Sequence, residues 1–414
     1  MPLFLIIVIG ILIAGFVLFV PMAGLVLVIY SISLLRFPTL FPSFIGIFTQ
    51  LSAVKLIGGL TFCSVIVHNL VGKKKIGVLQ SKQAKFFLFY LVWVAISGFS
   101  QPCSFTRESF TRYVSLVMFF YITISLIDTP ERFRLILWSC IISMFGASSF
   151  ALFQHINAEE VIRARSVFLD SNYFNFYLLP MIPVAFYRFL DERLLFKKII
   201  AGTATFILIL AVIFTFSRGG MVGLAVVLLL LALNSQKKLK AFLMVGIFIT
   251  LFTVYTPNYF RERIEKTELE LNVKDPNTST YRRLLLSKAG LRMLLDKPLT
   301  GVGVGNFFWA VNKYAPVYPG YAHNMYMEVA AELGLPGIFL FMGIIFFTLR
   351  DLRMIIKKAS PSLKSYAQGF YVGLMGFLAS AVFLHAEYEK FLWLFIFLTI
   401  CLKKLVVQKE GITI

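Results

Sequence analysis

Charge is scarce in this chain, and negative charge is scarcer still. Only 14% of its 414 residues are charged, and 20 acidic residues stand against 40 Lys and Arg, a formal net charge of +20. So few charges cannot coat the surface of an ordinary soluble domain, and 59% hydrophobic residues with a mean hydropathy of +0.83 exclude one. Cysteine is also rare. Cys63, Cys103, Cys140 and Cys401 show no metal spacing, and three of them lie inside apolar runs, so neither a disulfide framework nor a zinc site is expected. The ten-residue alternation of barrel strands is missing as well. What remains is an all-α, polytopic membrane protein. In a soluble protein the basic excess would suggest nucleic acid. Here most of it sits in short loops between apolar runs, where it sets orientation, and no nucleic-acid partner is expected.

Apolar runs at about 3–20, 22–35, 50–70, 85–100, 112–127, 133–153, 173–190, 196–216, 219–233, 239–256, 335–350, 365–385 and 390–407 predict a bundle of twelve or thirteen spans. Runs 22–35 and 219–233 are short for a bilayer, so the first pair is either two spans or a bent re-entrant pair. The first twenty residues lack a basic flank and a small-residue cleavage site, and read as a retained span. The loops at 71–85, 128–134, 188–198, 234–240, 350–364 and after Cys401 carry 22 basic residues, whereas the alternate short loops carry 7. The first set is therefore cytoplasmic. The one long loop, 256–334, falls on the outer side with ten basic and eight acidic residues. Its stretches "YFRERIEKTELELN", "YRRLLLSKAGLRMLLDKP" and "AHNMYMEVAAELGLPG" have helical character, the last ending at Gly334 and Pro336. Leu284, Leu285, Leu291 and Leu295 supply the apolar spacing of the second. Three parts are expected: a transmembrane bundle over 1–255, a helical cap over 256–334, and C-terminal transmembrane helices over 335–414.

Chemistry-bearing residues gather at the outer ends of the spans. "FTFSRGG" puts Ser217 and Arg218 at the joint of two apolar runs. A snorkelling arginine at a tight turn would cost little near an interface. The two glycines, however, let backbone approach a ligand, and a guanidinium beside open N–H groups suits phosphate. Arg282 and Arg283 open a cap helix, where the helix dipole mildly disfavours cations, which hints at an anionic partner. His323 and Asn324 begin "HNMYMEVAAEL". A helix N-terminus keeps imidazole neutral, the form a general base requires. His155 and His385 also lie at outer span ends, while His68 is cytoplasmic. Asp170 and Asn172 open the run at 173–190, with capping as their ordinary role. "TGVGVGNF" lacks the strand–turn–helix setting of a nucleotide loop and reads as a tight turn.

Four stretches, "FLDSNYFNFYLLPMIP", "FTFSRGG", "YRRLLLSKAGLRMLLDKPLTGVGVGNF" and "AHNMYMEVAAELGLPG", occur in an order and topology that resemble the O-antigen ligase and polymerase superfamily. The likeness covers about residues 160–350; Ser287 stands where the family often has Trp. The resemblance implies a C-type glycosyltransferase architecture in the bacterial inner (cytoplasmic) membrane, with a periplasmic cap and an active site facing the periplasm. It implies transfer of a glycan from undecaprenyl diphosphate to a sugar hydroxyl of lipid A-core, with no cofactor and no metal. Arg218 and Arg283 correspond to the arginines that hold the diphosphate, with Arg282 as the rival of Arg283, and His323 to the catalytic histidine. Ser217, Asp170, Asn172 and Asn324 join Arg282 as candidate substrate-binding residues. Chemistry agrees: fixed cations stabilise a diphosphate leaving group more as its bond breaks, and a single displacement inverts the anomeric centre. An O-antigen or exopolysaccharide polymerase would use the same donor. A transporter of lipid-linked glycan is the alternative of a different class, but repeat halves and broken helices are not visible.

Overall fold

The computed structural model describes residues 3–34, 53–73, 77, 80–102, 106–158, 163–166, 170–235, 239, 246 and 278–411. Most of the expected span at 239–256, the charged stretch at 259–272, the loop at 36–49 and Cys103 fall outside them. Among the described residues the secondary structure is entirely helical. In chain order the helices are α1 (Leu3–Phe19), α2 (Pro21–Leu34), α3 (Ala53–Val71), α4 (Lys82–Ser100), α5 (Thr106–Leu126), α6 (Pro130–Ile156), α7 (Ser171–Asp191) and α8 (Leu195–Phe214). They continue with α9 (Arg218–Leu233), α10 (Ser279–Asp296), the single turn α11 (Phe307–Ala310), α12 (Met325–Lys358), α13 (Pro361–Ser380) and α14 (Lys390–Glu410).

Seven of these helices, α3, α4, α5, α6, α8, α12 and α14, are long and apolar enough to cross a membrane, and the chain is a multi-pass membrane protein. Shorter apolar helices lie at Gly10–Phe19, Pro21–Ile32 and Arg218–Leu233. Helices α7 and α13, 21 and 20 residues long, are less apolar because they pack inside the bundle. There Ser171, Asn175, Arg188, Ser365 and Ser380 are buried against protein instead of facing lipid. The opening pair is two helices broken only at Val20, and both rest on α3.

Side-chain caps explain where several helices start. Ser81 accepts from the Ala84 amide at 3.1 Å, and Thr129 precedes Pro130 and accepts from the Arg132 amide at 3.3 Å. Some boundaries differ from the sequence expectation. Helix α5 begins at Thr106, so Arg107 and Arg112 belong to a helix and not to the loop at 100–112. Helices α12 and α14 extend to Lys358 and Glu410, well past the apolar runs, since charged residues cost a helix nothing once it has left the bilayer.

Within 278–334, the described part of the expected cap, lies a second hydrophobic core: Leu286, Ala289, Met293, Val302, Phe307, Val311, Ala315, Ala322 and Ala331. This corrects the apolar face expected for α10. Leu284, Leu291 and Leu295 are exposed, whereas Leu286, Ala289 and Met293, at i, i+3 and i+7, point inward. The glycine-rich turn lies directly on the start of α12: Val302 N–H donates to Ala331 O at 2.9 Å and Gly303 N–H to Glu332 O at 3.0 Å. Gly334 interrupts α12 with φ 68°, so the cap helix does end there before the span resumes. A Cβ at Gly334 would sit 2.2 Å from Leu299 O, so only glycine fits. The cap is also tied to α4. Trp93 Nε1 donates to Leu333 O at 2.8 Å, and Ser97 Oγ donates to Thr300 O at 2.9 Å.

Candidate functional site

The expected residues lie at one end of the bundle, where the starts of α7, α9 and α12 meet the α13–α14 connection. Backbone and side-chain bonds join these parts: Met325 N–H donates to Ala381 O at 2.9 Å, and Tyr326 Oη to Leu378 O at 2.8 Å. Ser217 caps α9, its Oγ accepting from the Gly220 amide at 3.2 Å. Arg218, half-buried, is the first helical residue. The two following glycines were expected to admit a ligand; the structure spends them on packing instead. A Cβ on Gly220 would lie 2.6 Å from the Asn175 side chain, and one on Gly219 2.9 Å from Phe383 Cβ. The cation is thus held at the end of a tightly packed helix, with its preceding turn pinned. Thr215 Oγ1 accepts from Asn175 Nδ2 at 3.0 Å, and Thr215 O accepts from Arg163 Nε at 2.7 Å.

Arg163 is a basic residue of this end that sequence reasoning passed over. Its Nη2 also donates to Asn172 Oδ1 at 3.0 Å. Asp170 caps α7 through the Asn172 amide at 2.6 Å, so both Asp170 and Asn172 have structural duties here. Asn324 caps α12, accepting from the Tyr326 and Met327 amides at 3.0 Å each. Arg282 donates to Pro319 O at 2.9 Å, which makes it a clamp on the cap backbone. Arg283, its half-buried neighbour, acts on His323 more strongly than Arg282 does.

His323 lies two residues before α12 in the left-handed region, φ 50°. A side chain tolerates this conformation only where its surroundings enforce it. Part of that enforcement is Glu328, whose Oε2 accepts from the preceding Ala322 amide at 3.0 Å. The Nδ1 atom of His323 is buried without a hydrogen-bond partner. Burial first, then the positive fields of Arg283 and Arg282, push its pKa down to about 4, against a small opposing pull from Asp170. The ring is therefore neutral near pH 7.

His385, in the α13–α14 connection, faces His323 edge to face, with ring centroids 6.0 Å apart. Tyr321 stacks on it at 4.1 Å and 22°, and the Tyr173 hydroxyl hydrogen-bonds to its ring. Burial, His323 and Arg112 lower its pKa to about 3. The other histidines are structural: His155 packs on Phe214 at 4.6 Å, and His68 Nδ1 lies 2.9 Å from Ser64 O within α3. Sequence reasoning also missed the buried acids Glu328, Glu332 and Glu387. A signal was present, since Glu328 and Glu332 are two acids one turn apart in an otherwise apolar helix. Glu332 accepts from the Gly305 and Phe307 amides at 2.9 and 3.1 Å and so shapes the glycine turn.

Chemically, this end combines a neutral imidazole whose Nδ1 has no partner with arginines on separate elements. A base beside fixed cations suits proton removal from a nucleophile during departure of an anionic group.

Residues 203–342 match the family model described as O-Antigen ligase. The matched segment runs from α8 through the first half of α12, and so contains Arg218, Arg283 and His323. No curated protein matches the chain.

Proposed function

We propose, from the match of residues 203–342 to the O-Antigen ligase family model, that this protein moves a glycan from undecaprenyl diphosphate to a sugar hydroxyl. The match itself supports glycan transfer of the ligase or polymerase type, between a lipid-linked glycan and a glycan acceptor. The finer reading is an O-antigen ligase acting on lipid A-core at the periplasmic face of the inner membrane. The observation that carries the transfer chemistry, common to ligase and polymerase, is His323, neutral and unpartnered at Nδ1, under the field of Arg283.

In this reading the acceptor hydroxyl gives its proton to the His323 imidazole as its oxygen attacks the anomeric carbon. The bond from that carbon to the phosphate oxygen breaks, and undecaprenyl diphosphate leaves with the electron pair. One displacement inverts the anomeric centre. Arg218 and Arg283 hold the diphosphate, whose charge grows in the transition state, and arginine's planar fork suits its oxygens. Arg282, Arg163, Asp170 and Asn324 set the backbone that aims these groups. A polymerase would share every step and differ only in taking a second lipid-linked repeat as acceptor.

The test is transfer by purified protein in nanodiscs. Undecaprenyl-diphosphate glycan is supplied with lipid A-core or with excess donor alone. Product on lipid A-core establishes the ligase reading, and longer lipid-linked chains establish the polymerase. Folded protein that makes neither product refutes the donor chemistry.

A further inference from the structure

The cationic half of this end has a neighbour of different character. Glu387, in the α13–α14 connection, is only 3% exposed, and neither carboxylate oxygen has a hydrogen-bond partner. A buried acid left unsatisfied calls for an explanation, because native proteins pair nearly all such groups. Its carbonyl is occupied, accepting from Trp393 Nε1 at 2.8 Å, so the connection is firmly seated while the side chain is not. Arg112 of α5 stands close by: its guanidinium lies 5.0 Å from the Tyr388 ring centre, ion-paired to Glu108 at 2.7 Å, and its field reaches Glu387, His385 and Tyr321. Burial and the neighbouring Glu332 raise the Glu387 pKa, so the group serves as a hydrogen-bond donor as well as an acceptor.

The same Arg112 field reaches an aromatic ledge. Tyr321 stacks on His385, Phe308 meets Tyr321 at 5.1 Å, and Trp309 meets Phe308 at 5.0 Å. Trp309 is 50% exposed and Tyr321 36%. These flat faces are joined to His323 through His385, which stacks on Tyr321 and meets His323 edge to face at 6.0 Å.

We propose that Glu387, Arg112 and the Tyr321–Phe308–Trp309 ledge form a subsite that binds the acceptor sugar. The assignment rests on the glycan-transfer reading and names the half of the site that serves its second substrate. An anion is a poor fit, since Glu387, Glu332 and Glu328 face the same region and Glu108 already answers Arg112. A metal is a poor fit too: among the described residues no cluster of His, Cys, Asp and Glu is suited to one. A neutral polyhydroxylated ring fits both features. Its C–H face lies on tyrosine and tryptophan, and its hydroxyls find a carboxyl and a guanidinium. Charge then sorts the substrates, with diphosphate drawn to the arginine side and uncharged sugar to the mixed side, and His323 between them.

The experiment measures binding without donor. Wild-type protein in nanodiscs is titrated calorimetrically with a delipidated core oligosaccharide and, separately, with a delipidated O-antigen repeat. Saturable binding of either is expected, weakened at least tenfold in Glu387→Leu and in Tyr321→Leu, and kept in Tyr321→Phe. In the transfer assay the same two Leu variants should raise the acceptor KM about tenfold and leave the donor KM unchanged. Absence of saturable binding to wild type overturns the subsite, as does wild-type affinity in both Leu variants. Should Glu387→Leu fail to fold, the Tyr321 pair decides alone. Wild-type protein that binds oligosaccharide but transfers no glycan would sink the transfer reading while leaving the sugar subsite standing.

Discussion

A base held neutral by burial and by arginine fields should keep working in acid, and this separates His323 from an ordinary solvated histidine. Its pKa is pushed to about 4. In the proposed role the active form is the unprotonated one, so activity should be retained above that value and lost as pH falls through it. At pH 5 a group with a pKa of 4 is ~90% neutral, whereas an unperturbed histidine near 6.5 is ~3% neutral. The quantity to measure is kcat/KM for the donor, which reports the free enzyme, from pH 3.5 to 8 in nanodiscs. The expected profile is nearly flat from pH 7.5 to 5, with a fall centred near 4. His323→Ala should lose about 10²–10⁴ in rate and lose that acid limb with it. A midpoint near 6.5 would refute the buried, arginine-facing environment. A well-folded His323→Ala variant with full activity would remove the base altogether.

Other consequences are more local. Arg218→Ala should cut kcat/KM by about 10²–10³, and Arg218→Lys should recover only part, because a point charge lacks the fork that spans two phosphate oxygens; steady-state kinetics with both variants checks this. Ser217→Ala removes the cap on the Gly220 amide and should destabilise by about 1 kcal/mol, read from the thermal midpoint. Glu328→Gln should hold the His323 turn through the Ala322 amide and keep activity, whereas Glu328→Ala should lose it at unchanged expression. Gly334→Ala would force a methyl to 2.2 Å from Leu299 O at a positive φ, and little folded protein should be recovered in detergent.

Part of the site was legible because its residues break local rules. An arginine between two apolar runs and a histidine at a helix start stand out in any reading of the chain. The break at Gly334 was equally plain, since glycine followed by proline stops a helix. Arg112, Arg163 and Glu387 carried no such mark. Arg112 looked like a loop cation, and only the start of α5 at Thr106 turns it towards Tyr388 and the α13–α14 connection. Glu387 sits among charged loop residues in the sequence, yet tertiary packing buries it. The glycines after Arg218 misled for a related reason: a missing Cβ announces close approach but does not say what approaches, and here it is Asn175 and Phe383.

By itself, the sequence determined that this is a helical membrane protein, where most of its apolar helices lie though not their exact ends, and which histidine and arginines deserve attention. Hydropathy, capping and basic loops are local properties, settled by solvent and by neighbours a few residues away. Only the tertiary structure decided which side chains share a space. Leu286 turns inward while Leu284 does not, His385 and not His155 joins His323, and Glu387 is buried in the α13–α14 connection within the field of Arg112. Those pairings join residues distant in the chain, and they are set by the way α5, α7, α9, α12 and the α13–α14 connection pack together.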